Sequence, residues 1–263
     1  MKIPKAMTIA GSDSGGGAGV QADLKTFAAL GVYGASTLTA ITAQNTVAVT
    51  AVHDIPTDVI TAQIDAVLTD IGADAVKTGM LSSSDIIECV CEALEVHGVQ
   101  RLVVDPVMIA KSGDALLRED AIGSLRTRLL PLAMVVTPNI PEAEALTETT
   151  IVSDADVRRA AEAIVGMGAR SVVVKGGHRE GPATDLFYDG KEFKEFTAPR
   201  FDTVNTHGTG CTFASAVAAG LARGMVVTDA VALAKDYVTE GICHSFSIGQ
   251  GHGPLNHFYR FWK

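Results

Sequence analysis

The sequence predicts an α/β fold in which helices cover a mostly parallel sheet. Short runs of β-branched residues alternate with longer helical patterns along the 263 residues, and this alternation is typical of parallel strands joined by helical crossovers. The valine-rich run 171–175 has the continuous apolar character of a strand that is buried on both faces. Asp189-Gly190, between two strand-like runs, indicates a tight hairpin, so we expect an antiparallel extension of one sheet edge.

The chain begins with a predicted strand at 7–10, which is followed by a glycine-rich loop and a helix at 21–30. The remaining strands are expected at residues 33–42, 48–54, 75–77, 102–105, 134–137, 171–175, 184–188 and 192–197. The remaining helices are expected at 56–71, with Pro56 at an early position, at 84–96, at 153–167, with Ser153 as N-cap, at 209–223 and at 228–245. Because no linker, repeat or low-complexity segment interrupts this series, we expect one domain over residues 1–263.

The charge and the cysteines disfavour several classes of protein. A net charge of -9 and a pI near 5.2 argue against general electrostatic binding to nucleic acids. The four cysteines have neither metal-ligand spacing nor a disulfide framework, which favours a reducing compartment. No apolar run approaches the ~18 residues of a membrane span, and the N-terminus lacks a signal-peptide core. We therefore expect a soluble cytoplasmic protein that binds neither nucleic acid nor membrane.

The loop 205–211 is the most informative stretch, because it places two glycines and a thiol directly before an apolar helical run. Backbone N–H groups at a helix N-terminus have no partner inside the helix and, together with the helix dipole, form an anion site. The same field stabilises a thiolate, so we expect Cys211 to act as a base or nucleophile near neutral pH. An anion site beside a basic group indicates transfer of a charged group, phosphoryl above all.

Polar residues follow most of the predicted strands and should meet at one rim of the sheet, because ligands of such sheets bind beyond the carboxyl ends of the strands. Asp105 and Glu142 suit a hard cation such as Mg²⁺. N-capping by Asn139, with Glu142 in an acidic first turn, is the structural alternative. Lys175 can neutralise phosphate charge at its strand end. The full rim set is Ser12, Asp13, Gln44, Asn45, Lys77, Asp105, Asn139, Glu142 and Lys175.

The glycine-rich stretch 11–19 follows the first strand and contains five glycines in nine residues. It is not a P-loop, because no Gly-Lys-Ser/Thr sequence closes it. Residues 17–22 fit the GxGxxA pattern of dinucleotide sites, yet the next suitable acidic residue, Asp54, comes too late in the chain. Close approach of this backbone to a small ligand is favoured over a flexible turn, because so many glycines are costly. The polar loop 111–114 is either a lid or an ordinary connection.

Taken together, several stretches resemble the hydroxymethylpyrimidine/phosphomethylpyrimidine kinases of thiamine biosynthesis, which are members of the ribokinase-like superfamily. The resemblance implies a three-layer α/β/α sandwich, a cytoplasmic homodimer, and ATP and Mg²⁺ as cofactors. It also implies two successive phosphorylations, first of an aminopyrimidine alcohol and then of its monophosphate. The stretches that carry it span nearly the whole chain and lie at residues 10–19, 42–46, 77–81, 105–108, 111–114 and 206–211.

At the substrate end, the resemblance implies that Gln44 pairs with the polar edge of the aminopyrimidine. Met80 and Val107 would pack on the ring, and Gly11 would line the pocket. Asp23 would lie nearby as a further polar contact.

At the transfer end, Cys211 takes the position of the usual catalytic aspartate and would deprotonate the hydroxymethyl group. The other residues implied there serve the phosphoryl group, the metal and the nucleotide. They are Gly208, Thr209 and Gly210 as anion-hole amides, Asp105 and Glu142 for Mg²⁺, Lys175 for the ATP phosphates, and Lys235 near the nucleotide.

This sequence departs from the resemblance at a few positions. Asn205 replaces the aspartate that is usual in the wider superfamily, and Thr42 and Thr78 stand where aliphatic residues are common. His207 adjoins the key loop, but the sequence assigns it no role. These departures concern the detail of the pocket more than the type of reaction.

Two alternative functions remain open. Related pyridoxal kinases carry a second cysteine in the lid, whereas this chain has Ala110, so we expect weak or no turnover of pyridoxal. A pyrimidine sensor without catalytic activity would need no phosphoryl-transfer groups. The intact Cys211 loop, Asp105 and Lys175 argue against that alternative.

Overall fold

The computed structural model describes residues 2–108, 116–118, 121–177 and 181–262. The strands of these residues are β1 (Lys5–Asp13), β2 (Tyr33–Gln44), β3 (Val49–Asp54), β4 (Ala75–Thr78), β5 (Leu102–Val104), β6 (Val135–Val136), β7 (Val172–Val174), β8 (Ala183–Tyr188) and β9 (Phe193–Ala198). They form one sheet in the order β3-β2-β1-β4-β5-β6-β7-β8-β9. Neighbours from β2 through β7 run parallel, whereas β3, β8 and β9 pair antiparallel. The predicted mostly parallel sheet with a late antiparallel hairpin is confirmed.

The helices of the described residues are α1 (Gly19–Ala29), α2 (Thr57–Ala66), α3 (Ser84–Val96), α4 (Ala121–Ser124), α5 (Ile140–Thr147), α6 (Asp154–Gly166), α7 (Thr209–Ala222) and α8 (Val227–Cys243). Ser153 caps α6 as predicted, since its side chain accepts a hydrogen bond from the Asp156 amide. Helices α4 and α5 are additions to the elements expected from sequence. Within the described residues, no helix combines the length and the apolar character needed to span a membrane.

Alternate residues of the central strands pack into two separate cores, one on each face of the sheet. Val103 and Val173 belong to the core that includes residues of α1, α7 and α8. Val104, Val172 and Val174 belong to the core that includes residues of α2, α3, α5 and α6. Because strand side chains alternate between faces, the valine-rich strands supply both cores at once. The expected three-layer α/β/α sandwich is confirmed.

Strand β1 lies at the centre of the ligand-binding edge. Its neighbours β2 and β4 lie on opposite sides, so the strand order changes direction at β1, which is where parallel sheets open a crevice. The strand is longer than predicted because it continues past an irregularity between Ala10 and Ser12 and ends at Asp13. Part of the predicted glycine loop is therefore strand, and the backbone of Gly11 faces the site from a fixed position.

Candidate active site

A cavity of about 620 Å³ opens at the carboxyl edge of the sheet. Its walls come from the ends of β1, β2, β4 and β5, from α5 and from the N-terminus of α7. Asn45 of the predicted rim set does not line this cavity. Of the residues that were given a role in the site, all but Asp23 line it. They are Gly11, Gln44, Met80, Asp105, Val107, Glu142, Lys175, Gly208, Thr209, Gly210, Cys211 and Lys235.

The part of the cavity where the sequence predicts the pyrimidine to bind is built from β1, β2 and the residues after β4. A side chain at Gly11 would crowd Met80, because a Cβ there would lie 3.0 Å from the Met80 sulfur. The Ser14 hydroxyl donates to the backbone carbonyl of Gln44 at 2.7 Å and accepts from the backbone amide of Gln44 at 2.8 Å. The backbone of Gln44 is thereby fixed at the cavity wall, with Met80 and Val107 as apolar neighbours in the lining.

The anion-binding end begins at Gly208, which caps α7 with a φ of +78°. A Cβ at Gly208 would lie 1.8 Å from the Gly17 carbonyl oxygen, so only glycine permits the two loops to cross. Among the described residues, the amides of Gly208 and Gly210 have no hydrogen-bond partner, whereas the Thr209 amide donates to the Thr206 carbonyl at 3.3 Å. The first two are therefore the donors best placed for a transferring phosphoryl group.

Cys211 lies in the first turn of α7 and keeps part of its surface open to the cavity. Its sulfur accepts a hydrogen bond from the Gly19 amide. Burial nevertheless raises the pKa of the thiol to about 12, and the charges of Asp105 and Asp23 add to the rise while Lys77 opposes it. Enclosure and the nearby carboxylates therefore oppose the thiolate that the helix N-terminus was expected to stabilise, and the pKa shifts in the opposite direction to that expectation.

The prediction that Asp23 contacts the substrate is also corrected. Asp23 is fully buried below the cavity floor, where its carboxylate lies 2.9 Å from the Lys77 ammonium. Thr8 and Ser215 donate to the same carboxylate at 2.6 and 2.5 Å. A carboxylate with this many partners is satisfied by the protein and is the counter-ion of Lys77. Lys77 itself reaches the cavity lining, and the charge of Asp23 raises its pKa despite burial.

Asp105 and Lys175 form a second charged pair beside the α7 N-terminus. Lys175 Nζ donates to Asp105 Oδ1 at 3.0 Å, and the Thr137 hydroxyl lies 3.2 Å from the same oxygen. Asp105 Oδ2 has no hydrogen-bond partner among the described residues and would lie 3.8 Å from a Cβ at Gly210. A carboxylate oxygen is thus directed at the anion site, where a hard cation and a phosphate would meet.

Glu142 fulfils the structural alternative that the sequence left open. Its carboxylate accepts from the Asn139 amide at 2.7 Å, and its amide donates to the Asn139 side chain at 2.9 Å, which completes a capping box at the start of α5. Burial raises the pKa of Glu142 to about 7, with the charge of Asp105 adding to the rise and that of Lys175 opposing it. Glu142 caps the helix and still lines the cavity, so the same side chain can also bind Mg²⁺.

The donor set fits Mg²⁺ better than a transition metal. Within the residues that the structure describes, no group of three or more His, Cys, Asp or Glu side chains is arranged to hold a metal ion. Mg²⁺ requires fewer protein ligands, because one or two carboxylates plus water and phosphate oxygens complete its shell. Asp105 and Glu142 together provide that smaller set.

Lys235 marks the far end of the cavity but is not a free cation. Its ammonium lies 2.8 Å from Asp185 Oδ2, and Asp185 Oδ1 accepts from the Gly176 amide at 2.9 Å. Phe201 and Ile242 add apolar surface to the lining. The Lys235–Asp185 pair therefore offers a hydrogen-bond donor and a hydrogen-bond acceptor to this cavity.

Asp13 and His207 form a junction that sequence reasoning missed. Asp13 accepts hydrogen bonds from the amides of Gly15, Gly17 and Ala18 at 2.8, 3.1 and 2.8 Å, and from His207 Nε2 at 2.8 Å. Burial opposes ionisation, yet the His207 and amide hydrogen bonds lower the pKa of Asp13 below its ordinary value. An aspartate two residues before a glycine run, as Asp13 is before Gly15, is a signal for such a turn. His207 thus ties the glycine-rich loop to the anion-binding loop.

The polar loop 111–114, for which a lid and an ordinary connection were both left open, lies outside the described residues, as does Ala110. A site that joins an apolar ring pocket to an anion-binding helix N-terminus, with buried lysines and carboxylates between them, defines a small-molecule kinase of the ribokinase-like fold.

The chain belongs to the phosphomethylpyrimidine kinase family, whose model matches residues 13–256. It is 55% identical over 262 residues to the hydroxymethylpyrimidine/phosphomethylpyrimidine kinase of Rhizobium meliloti, with 98% of each chain covered. The solved phosphomethylpyrimidine kinase of Clostridium difficile is 48% identical with a TM-score of 0.82, over 92% of this chain and 100% of that one. An ADP complex of Bacillus subtilis pyridoxal kinase is 41% identical with a TM-score of 0.92, over 98% and 99%. The fold is therefore shared by kinases of different ring substrates.

Proposed function

We propose that this protein phosphorylates 4-amino-5-hydroxymethyl-2-methylpyrimidine with ATP and then phosphorylates the monophosphate, as successive steps of thiamine biosynthesis. One observation carries the proposal: a single cavity is lined both by Gln44 and Met80 and by the α7 N-terminus with Cys211. Membership of the phosphomethylpyrimidine kinase family and the name of the Rhizobium meliloti relative support the same substrate.

In this mechanism Gln44 binds the polar edge of the ring, and Met80 and Val107 contact its faces. The ring is thereby held with its hydroxymethyl group towards Cys211, which takes the hydroxyl proton as general base. The amides of Gly208 and Gly210 stabilise the charge on the transferring phosphoryl group, because phosphoryl transfer depends mainly on positioning and charge neutralisation.

The remaining charged residues serve the nucleotide. Asp105 and Glu142 would hold Mg²⁺, which supplies charge neutralisation at the ATP phosphates when it is bound. Lys175 contacts the phosphates beside it, and the Lys235–Asp185 pair lies at the nucleotide end. In the second phosphorylation the monophosphate shifts its own phosphate past Cys211, so that one anion site serves both steps.

We assign the protein one catalytic domain over residues 1–263, a cytoplasmic location and a homodimeric state. Exposed apolar side chains on the neighbouring strands β2 and β3 support self-association; they include Tyr33, Ile41 and Val52. Light scattering after size-exclusion chromatography measures the mass in solution. A monomer at micromolar concentration contradicts the homodimer and leaves the proposed reaction unaffected.

An ADP-release assay with ATP, Mg²⁺ and the hydroxymethylpyrimidine tests the reaction, and mass spectrometry separates mono- from diphosphorylated product. We expect both products. Turnover of pyridoxal as fast as that of the pyrimidine would favour a pyridoxal kinase, the activity of the Bacillus subtilis structural relative. Tight pyrimidine binding without any ADP release would favour a sensor.

A further inference from the structure

The hydroxyl of Thr42 lies between two polar groups at the pyrimidine end of the cavity. Thr42 Oγ1 is 2.8 Å from the Ser12 carbonyl oxygen and 3.1 Å from Gln44 Oε1. Thr42 is only 4% exposed, and all three residues line the cavity. A hydroxyl has a single proton to donate, so it cannot donate to both oxygens at once.

Only one arrangement makes both contacts hydrogen bonds. The Ser12 carbonyl can only accept, so Thr42 must donate to it. The Thr42 oxygen can then only accept, and Gln44 must present its Nε2 group. A rotation of the terminal amide by 180° exchanges Oε1 and Nε2 without changing the shape of the side chain. The side-chain oxygen of Gln44, Oε1, then faces the cavity.

The backbone of Gln44 is held in place, so it cannot move to change the contact with Thr42. Its backbone amide and carbonyl are both hydrogen-bonded to the Ser14 hydroxyl. Gly15 packs closely on the Gln44 backbone, since a Cβ at Gly15 would lie 3.3 Å from the backbone carbonyl oxygen of Gln44. Among the described residues, the side-chain amide has no hydrogen-bond partner other than Thr42. The rotation of the amide is therefore the property that Thr42 controls.

We propose that Thr42 is a specificity-determining residue, which holds the Gln44 amide with its carbonyl oxygen towards the ring and thereby selects substrates with an amino group beside the hydroxymethyl carbon. This inference rests on the proposed function, in which Gln44 binds the ring. The amino group of the pyrimidine donates to the exposed oxygen. Pyridoxal carries an aldehyde beside its hydroxymethyl-bearing carbon, and an aldehyde oxygen can only accept, so it meets the Gln44 oxygen unfavourably. Discrimination between the two vitamin rings thus begins at Thr42.

The test compares the 4-amino pyrimidine with its 4-oxo analogue, 5-hydroxymethyl-2-methylpyrimidin-4-one. The wild type should prefer the amino compound in kcat/KM. Thr42→Val keeps the shape but removes the hydroxyl, so the amide can rotate and the preference should fall by about tenfold, the size of one neutral hydrogen bond. The change should appear in KM, with kcat for the amino compound nearly constant. Thr42→Ser restores the hydroxyl and should restore the preference.

Thr50→Val is the matched control. It removes a threonine hydroxyl from the adjacent strand β3, where that hydroxyl donates to the Ala43 carbonyl at 3.0 Å. Thr50 does not line the cavity, so the variant should keep the wild-type preference. A wild-type preference retained in Thr42→Val, or an equal loss in Thr50→Val, overturns the inference. Calorimetric dissociation constants for the two pyrimidines report the same preference without turnover. An inactive wild type that still discriminates by binding would therefore contradict the proposed function and not the role of Thr42.

Discussion

The two ends of the cavity are held by different kinds of interaction. At the pyrimidine end, neutral groups bind one another: the Ser14 hydroxyl fixes the Gln44 backbone and the Thr42 hydroxyl meets its side chain. At the transfer end, buried charges are paired: Lys77 forms an ion pair with Asp23, and Lys175 forms one with Asp105. Neutral hydrogen bonds discriminate between rings of similar size, whereas paired charges prepare a site for a polyanion.

The ends are joined at a crossing of two loops, where Gly17 meets Gly208 and Asp13 binds His207. Ring recognition and phosphoryl transfer can therefore be disturbed separately, although one rigid junction sets the distance between them. Substitutions at the charged end should act on kcat and on folding stability. Substitutions at the neutral end should act mainly on KM.

The largest effect is expected for Cys211→Ala at the charged end. Loss of the general base should lower kcat by about 10²–10⁴, with a much smaller change in the KM for the pyrimidine. Steady-state kinetics with saturating ATP measure both constants. A kcat close to that of the wild type would mean that Cys211 is structural.

The raised pKa of Cys211 adds a pH dependence to this prediction. The deprotonated thiol is the active form, and its fraction grows with pH up to the raised pKa of about 12. The kcat/KM of the wild type should therefore rise about tenfold per pH unit between pH 7 and 9. Cys211→Asp places an already ionised carboxylate there and should flatten the profile. Parallel profiles of the two proteins would exclude the thiol as the titrating base.

The next effect concerns the stability of the charged end. Asp23→Asn keeps the shape of the side chain but leaves the fully buried Lys77 ammonium without its counter-charge. The free energy of unfolding should fall by about 3 kcal/mol, because breaking one partner of a buried pair leaves an uncompensated charge. Glu195→Gln is the control, since the Arg158–Glu195 pair has a similar distance of 3.0 Å but is exposed and should contribute less than about 1 kcal/mol. Urea unfolding curves measure the free energy of unfolding of both variants. Equal losses of stability would contradict the prediction that burial makes the Lys77–Asp23 pair the more important one.

Local signals in the sequence predicted the fold and several of the residues that line the cavity. Alternating β-rich and helical runs determine a parallel sheet, and a parallel sheet brings residues after its strands to one edge, as observed for Gln44, Asp105 and Lys175. Ser153 capped α6 where predicted, because a capping residue acts on amides only a few positions away.

Properties that depend on distant partners were not predictable in this way. Asp23 looked like a substrate contact until Lys77, 54 residues away, proved to be its partner. His207 had no assigned role because its partner Asp13 is 194 residues away in the sequence. The pKa of Cys211 depends on enclosure by several elements, so a helix N-terminus alone gave the wrong direction.

A smaller effect is expected at the neutral end for Gln44→Ala. Loss of the side-chain amide should raise the KM for the pyrimidine by about tenfold and leave kcat nearly constant, because the amide binds ground state and transition state alike. Gln63→Ala is the matched control, since that amide binds the Leu38 backbone at 3.0 and 3.2 Å and does not line the cavity. An unchanged KM in Gln44→Ala would remove Gln44 from ring recognition and, with it, the basis for the role of Thr42.

The smallest effect should come from two neighbouring threonines of β2 that differ only in hydrogen bonding. Thr37 and Thr39 are both fully buried, but Thr39 donates to the Met80 carbonyl at 2.7 Å, whereas Thr37 Oγ1 has no partner among the described residues. Valine has nearly the same shape, so Thr37→Val removes an unsatisfied hydroxyl and should raise the free energy of unfolding by about 1 kcal/mol. Thr39→Val leaves the Met80 carbonyl unpaired and should lower it by a similar amount. Melting temperatures that shift by about 2–4 °C in opposite directions would confirm that satisfied neutral hydrogen bonds, and not buried hydroxyls as such, stabilise this side of the sheet.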